Sequence, residues 1–305
     1  MVMNRRKFLL SSVVSGFSRT TLSSVVSGLS RTPAPDASSA IKFGYAAITW
    51  GAKVTQAVDD ISSLGFRGIQ LRSEAVAQFG DRRAELRELL KRRHLTMAVL
   101  SSGNLSIDPA REREELAKHV ANAEFVRDIG GLYLQVIDER PKGRSITPDD
   151  YRRLGRLLTT LGERTAAVGI PLVYHHHMNS LGERPEEIAR VLEAADPRRV
   201  KLLFDVAHFQ QGGGDPVAAL RQYREWIQVV HLKDVETTAA SPGYRFVELG
   251  RGGVDVPGVF VALDEIKFEE WAIVELDRVP DPNRTAKQAA EANKRFLTER
   301  MKLRI

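Results

Sequence analysis

Cysteine is absent from this 305-residue chain. Its absence excludes disulfides, a thiolate nucleophile and any sulfur-ligated zinc site. It is compatible with both reducing and oxidising compartments. No apolar run is long enough to cross a bilayer, so the mature protein is read as having no membrane span. Acidic residues are nearly missing from residues 1–39, where Asp36 stands alone against Arg5, Arg6, Lys7, Arg19 and Arg31. The formal net charge of +6 therefore belongs largely to this segment; the remainder carries 40 basic and 38 acidic residues. A near-neutral body gives no footprint for nucleic acid, and none is expected as a partner.

The basic start has a pattern. Asn4-Arg5-Arg6-Lys7-Phe8-Leu9-Leu10 resembles a twin-arginine export signal, and the small residues 37–40 suit a signal peptidase. Residues 1–39 are read as signal and linker, and the protein as periplasmic or exported; otherwise it is cytoplasmic. Arg19 and Arg31 inside the apolar stretch keep an organellar transit peptide and a disordered N-terminus open as alternatives. Residues 10–20 recur almost unchanged at 22–32, a single local duplication and not a solenoid.

From residue 41 onward, short apolar runs alternate with helical patterns. The runs 41–48, 66–72, 95–101, 132–137, 170–176, 200–206, 227–232 and 271–276 read as strands covered on both faces. The segments 53–64, 82–93, 110–129, 148–168, 185–195, 215–225, 257–267 and 284–302 read as helices. Thr147-Pro148 and Asp215-Pro216 are helix starts, and Gly65, Gly130 and Gly169 fall where helices should end. Eight strands alternating with eight helices predict one α/β domain over residues 40–305, a (β/α)₈ TIM barrel. A doubly wound sheet would place a glycine-rich phosphate loop after its first strand; here that strand meets Thr49-Trp50-Gly51.

In such barrels the reactive groups sit at the C-terminal strand ends. Strand five ends in Tyr174-His175-His176-His177, strand six in Asp205-Val206-Ala207-His208, strand seven in His231-Leu232-Lys233-Asp234 and strand eight in Glu275-Leu276-Asp277. Imidazoles and carboxylates converging from neighbouring strands suit Mn²⁺, Mg²⁺, Co²⁺ or Zn²⁺. Neighbours on a strand face opposite ways, so His175 and His177 share one side and His176 takes the other. Trp50, Arg72 and Arg251 are weaker candidates for substrate contact. Gly250-Arg251-Gly252-Gly253 reads as a flexible connection near the site.

The motifs FDVAH, VHLKD, LGRGGVD and WAIVELD, in this order and spacing, resemble the xylose-isomerase-like barrel superfamily of sugar phosphate isomerases and epimerases. GYAAITWG and YHHHMNSLGERPEEI are similar to its inosose dehydratase branch. The resemblance covers about residues 41–300. It implies Asp205, His231 and Glu275 as metal ligands, His208 as a substrate contact and Lys233 as the lysine of the dehydratase-like HxKD pattern. The superfamily's ketose epimerases carry a strand-five glutamate that this chain lacks. The fourth ligand is then Glu183 or a strand-five histidine such as His177, with His175 left to contact substrate.

The expected chemistry is Lewis-acid activation of a carbonyl in a small sugar or polyol, followed by proton abstraction. Glu275, His177, His208 and Lys233 are the candidate acids and bases. The leading expectation is a metal-dependent sugar isomerase or epimerase, in which the proton returns to carbon; the alternative is a lyase or dehydratase that loses a β-hydroxyl, and loss of a β-alkoxyl would cleave a keto-glycoside. A metal-dependent phosphodiesterase and a non-catalytic sugar-binding barrel are the competing classes. The oligomeric state is left open, a homo-oligomer included.

Overall fold

A computed structural model describes residues 41–305, so the export-signal expectation lies outside the described residues. The strands are β1 (Lys42–Ala46), β2 (Gly68–Arg72), β3 (Thr96–Leu105), β4 (Tyr133–Asp138), β5 (Leu172–His175), β6 (Val200–Asp205), β7 (Ile227–Leu232), β8 (Asp234–Thr237), β9 (Tyr244–Val247) and β10 (Trp271–Val274). All but β8 and β9 close into one parallel barrel in the order β1-β10-β7-β6-β5-β4-β3-β2. The (β/α)₈ expectation is met.

Period-two alternation sorts each strand. On β7, Val230 and Leu232 join the apolar layer beneath the helices. Val229 joins an inner cluster with Ala46, Ala98, Val173, Leu203 and Trp271. His231 and Lys233 share Val229's parity and so turn inward, above that cluster. The indole of Trp271 fills the lower barrel because β2 presents Gly68 there; a Cβ at Gly68 would stand 2.2 Å from Trp271 Cζ3.

Eight outer helices match the sequence expectation within a few residues: α1 (Val54–Ser63), α3 (Arg83–Arg92), α4 (Glu112–Ile129), α5 (Pro148–Ala167), α6 (Pro185–Glu193), α8 (Pro216–Gln222), α9 (Val256–Glu265) and α10 (Ala286–Arg295). α5 starts on a capping box between Thr147 and Asp150, with Pro148 in its first turn. α4 stops at Gly130, whose φ of 77° closes the last turn in the left-handed region.

Four short elements depart from the sequence reading. A 3₁₀ turn at Ala47–Trp50 ends β1 early, and α2 (Ser73–Phe79) follows β2 directly. α7 (Val206–Gln211) forms because Asp205 caps it, accepting from Ala207 N–H and His208 N–H. β8 and β9 pair antiparallel as a hairpin between β7 and α9, where a loop was expected.

Candidate metal centre and active site

His175 ends β5, Asp205 ends β6, His231 lies in β7 and Glu275 follows β10. Parallel register sets Asp205 opposite His231. One donor atom from each of these four buried residues lies within 4.8 Å of all the others. His231 Nδ1 is 3.3 Å from Asp205 Oδ2 and 3.4 Å from Glu275 Oε1.

Gln70 on β2 sets the tautomer of His231. Its Oε1 lies 2.8 Å from His231 Nε2, and its Nε2 donates to Glu275 Oε2 at 3.3 Å. An amide oxygen only accepts, so the proton sits on Nε2 and the Nδ1 lone pair points into the cluster. His175 Nδ1 is buried without a hydrogen-bond partner. Burial, and then the neighbouring His231, push the His175 imidazole far below its ordinary range, so it is neutral. Two imidazole nitrogens and two carboxylate oxygens are a fitting donor set for a divalent cation.

Lys233 occupies the centre of the site without touching solvent. Its Nζ donates to Glu275 Oε1 at 3.0 Å and to Asp277 Oδ1 at 2.6 Å, and stands 4.0 Å from Asp205 Oδ2. Burial alone would deprotonate this amine, but Asp277, Glu275 and Asp205 outweigh it and raise its pKa, so it stays an ammonium. Burial pulls the Asp205 carboxyl up; the Lys233 ammonium, helped by the His208 backbone N–H, outweighs this and holds it at about 2. His208 Nε2 lies 3.2 Å from the same ammonium. Burial, reinforced by Lys233, depresses His208 strongly and keeps it neutral.

The histidine run divides as strand alternation requires. His176 turns outward between Phe204 and Phe209, with centroids at 5.1 and 5.7 Å, and accepts from Asp205 N–H. Burial holds it at about 4. His177 turns inward. Its Nδ1 lies 2.7 Å from the Met178 carbonyl oxygen; a carbonyl only accepts, so Nδ1 carries the proton and Nε2 is the basic atom.

The His177 ring is the meeting point of three cavities. One of about 190 Å³ lies over the four-residue cluster and is lined also by Gln70, Arg72, Gln135 and Glu275. A second of about 570 Å³ lies toward the hairpin, against His208, Tyr244, Phe246 and Asp277. The third, of about 490 Å³, lies toward Asp138, Arg140 and Asn179.

Several expected contacts are corrected. Glu183 stands outside the four-residue cluster: its Oε2 accepts from Asn179 N–H at 2.8 Å. His175, expected to contact substrate, lines the small cavity and also supplies the fourth donor of the cluster. Trp50 is buried, donates from Nε1 to Asp60 at 2.9 Å and meets Tyr45 edge-on, which leaves no face for a sugar ring. Arg251 is exposed 3.8 Å from Glu248 and lines none of these cavities. Its loop is not a flexible connection. Asp234 Oδ1 accepts from Val235 and Val254 N–H, and its Oδ2 from Gly250 and Gly252 N–H, all between 2.9 and 3.0 Å. Arg72 lines the small cavity and pairs with Glu74 at 3.5 Å.

Sequence reasoning overlooked Gln70, Gln135 and the hairpin aromatics, and gave Asp277 no separate role. Asp138 was also overlooked: buried on β4, it accepts from Tyr174 Oη at 2.6 Å and from the backbone of Leu181 and Gly182. It thereby fixes the loop that carries His177.

A closed parallel barrel with two imidazoles and two carboxylates gathered at its C-terminal mouth defines the class: an α/β barrel with the donor set of a divalent-metal centre. The model of the xylose isomerase-like TIM barrel family matches residues 58–299, and the chain belongs to that family. Inosose dehydratase of Geobacillus kaustophilus is 30% identical over 290 residues, 82% of this chain and 92% of that protein. Inosose dehydratase of Lacticaseibacillus casei is 29% identical, over 83% and 95%. The fold is that of the IOLI protein, solved with a binding zinc atom (TM-score 0.72, 19% identity, 85% of this chain and 97% of that one). A probable 3-DHS dehydratase of Bacillus anthracis superposes with a TM-score of 0.70 at 19% identity, over 85% and 99%.

Proposed function

We propose that this protein is a metal-dependent carbon–oxygen lyase that eliminates a group β to the carbonyl of a cyclic keto-polyol. His175, Asp205, His231 and Glu275 would hold the cation, which when bound supplies Lewis-acid polarisation of a carbonyl. The observation that carries the reading is His177. Its tautomer is fixed by the Met178 carbonyl, and its basic Nε2 belongs to a ring that borders the cavity over the cluster.

His177 takes the proton from the carbon next to the carbonyl. The resulting imidazolium gives that proton to the departing oxygen on the same face, so one ring serves as base and then as acid. Glu275 and Asp277 each accept a hydrogen bond from Lys233 Nζ, at 3.0 and 2.6 Å. Lys233 is therefore a positioning residue: it holds both carboxylates and lines none of the three cavities. Neutral His208 packs 3.9 Å from the His177 ring, centroid to centroid, and buttresses it. The names of the curated relatives support dehydration.

The isomerase or epimerase reading shares every step until the proton returns to carbon. No carboxylate stands at the end of β5 to serve as the second base of a two-carboxylate epimerase; His175 is there instead. The test is to incubate Mn²⁺-loaded protein with a keto-inositol in D₂O and follow it by NMR. Loss of water with formation of an unsaturated ketone supports the lyase, and His177→Gln should slow it at least about 10²-fold. Deuterium exchange with an inverted or migrated centre and no loss of water would make it an isomerase.

A further inference from the structure

Resting on the lyase reading, we propose that the cavity between the hairpin and the barrel mouth is a second substrate subsite, built for the leaving half of a two-ring glycoside. The cavity over the cluster, about 190 Å³, has room for one polyol ring. The cavity of about 570 Å³ adjoins it, and His177 and Asp277 line both. A substrate that fills both volumes has its connecting bond beside His177, the group that handles the leaving oxygen.

The walls suit a sugar. Tyr244 and Phe246 alternate on β9 and present two half-buried rings to the cavity, their centroids 5.6 Å apart. Pyranose C–H faces pack on such rings, while Arg245, Thr238 and Asp277 offer partners for hydroxyls. The platform is stiff. Phe246 lies 4.1 Å from the buried Lys233 ammonium and 4.9 Å from His208, and the Asp234 clamp fixes the hairpin base. The half-buried Asp277 and His177 at the rim offer further hydrogen-bond partners that a glycoside uses and an apolar partner does not.

The chemistry then fixes the carbonyl. In a pyranoside the glycosidic oxygen is β to a ketone at C3. His177 removes the C2 proton, and its electron pair forms the C1=C2 bond conjugated with the ketone. The C1–O bond breaks with its pair on oxygen, and the His177 proton moves to that oxygen. The products are an unsaturated ring ketone and the free leaving sugar, its hydroxyl restored. No oxidant is consumed, so a separate oxidation of the C3 hydroxyl must supply the substrate.

The test compares the 3-keto derivatives of methyl β-D-glucopyranoside and of cellobiose on Mn²⁺-loaded wild type, Tyr244→Ala and Tyr244→Phe, with thermal melts to verify folding. Wild type should prefer the two-ring probe in kcat/KM. Tyr244→Ala should cut that preference by about fivefold to tenfold, the worth of one stacked ring, and Tyr244→Phe should keep most of it. If the one-ring probe is consumed but the two-ring probe is no better, or Tyr244→Ala leaves the ratio unchanged, the subsite is refuted while the lyase reading stands. If neither probe is consumed, the lyase reading falls for glycosides. The subsite is then judged by calorimetric binding of cellobiose against methyl glucoside: tighter binding lost in Tyr244→Ala keeps it, and equal binding ends it.

Discussion

Replacing Lys233 by methionine tests the charge balance of the site directly. The ammonium contacts Glu275 and Asp277 and stands 4.0 Å from Asp205, all without solvent on Lys233. Methionine fits the volume but leaves three clustered carboxylates uncompensated. Removing one partner of a buried ion pair costs about 3–5 kcal/mol. One component follows from Asp205. Its folded pKa of about 2 lies below its unfolded value of 3.8, so it contributes stability that is complete above pH 3.8 and lost as pH falls through 2. That contribution is about 2 kcal/mol at neutral pH, and without Lys233, its largest favourable cause, it shrinks.

Metal-free Lys233→Met should therefore melt about 10 °C below wild type at pH 7. Because a cation at the four-residue cluster neutralises the same carboxylates, saturating Mn²⁺ should restore part of the loss. The metal-induced rise in Tm should then be larger for the variant than for wild type. Differential scanning calorimetry with and without EDTA measures both. A metal-free variant as stable as wild type would show that Lys233 does not balance these carboxylates, and the charge argument would fail.

Other outcomes follow from the same geometry. Wild type should bind about one divalent ion per chain, and folded Asp205→Ala and Glu275→Ala should lose it by elemental analysis. Gly182→Ala should cost about 1–3 kcal/mol in urea melts, because its Cβ would stand 2.0 Å from Tyr174 Oη. Burial, and then Lys118, depress buried His119 to about 4 from 6.5. Its neutral form accepts from Ser102 and donates to the Asn104 carbonyl. The unfolded chain thus binds the extra proton first, and stability present above pH 6.5 should fall by about 3 kcal/mol on acidification to pH 4. A neutral His119→Gln should flatten that part of the pH profile; an unchanged slope would assign it to other groups.

The barrel was legible because each strand is a short apolar run and several helices carry their own start or stop signal. Asp205, His231 and Glu275 were singled out by the family resemblance; strand-end alternation adds only that their side chains face into the barrel mouth. The choice among Glu183, His175 and His177 was not legible, because it depends on where β5 stops and how the following loop turns under Asp138. Gln70 and Gln135 carry no charge and sit in strands that read as apolar, so nothing marks them as polar groups aimed into the barrel. The hairpin escaped notice because the stretch around residues 234–247 lacks an apolar run; its rings are half-buried against the mouth, not packed in the core. α2 and α7 are shorter than two full helical repeats and show no period.

The Asp234 carboxylate, gripped by four backbone N–H groups, separates what can vary from what cannot. It ties the end of β7 to the glycine turn before α9, and so closes a stem whose ends are fixed regardless of what is threaded between them. Residues 238–243 at the hairpin tip lie beyond that stem. They can lengthen, shorten or change composition without moving Lys233 on one side or α9 on the other. A barrel with such a stem can be refitted to new substrates by grafting one loop, while its four-residue cluster and the His177 ring are inherited intact.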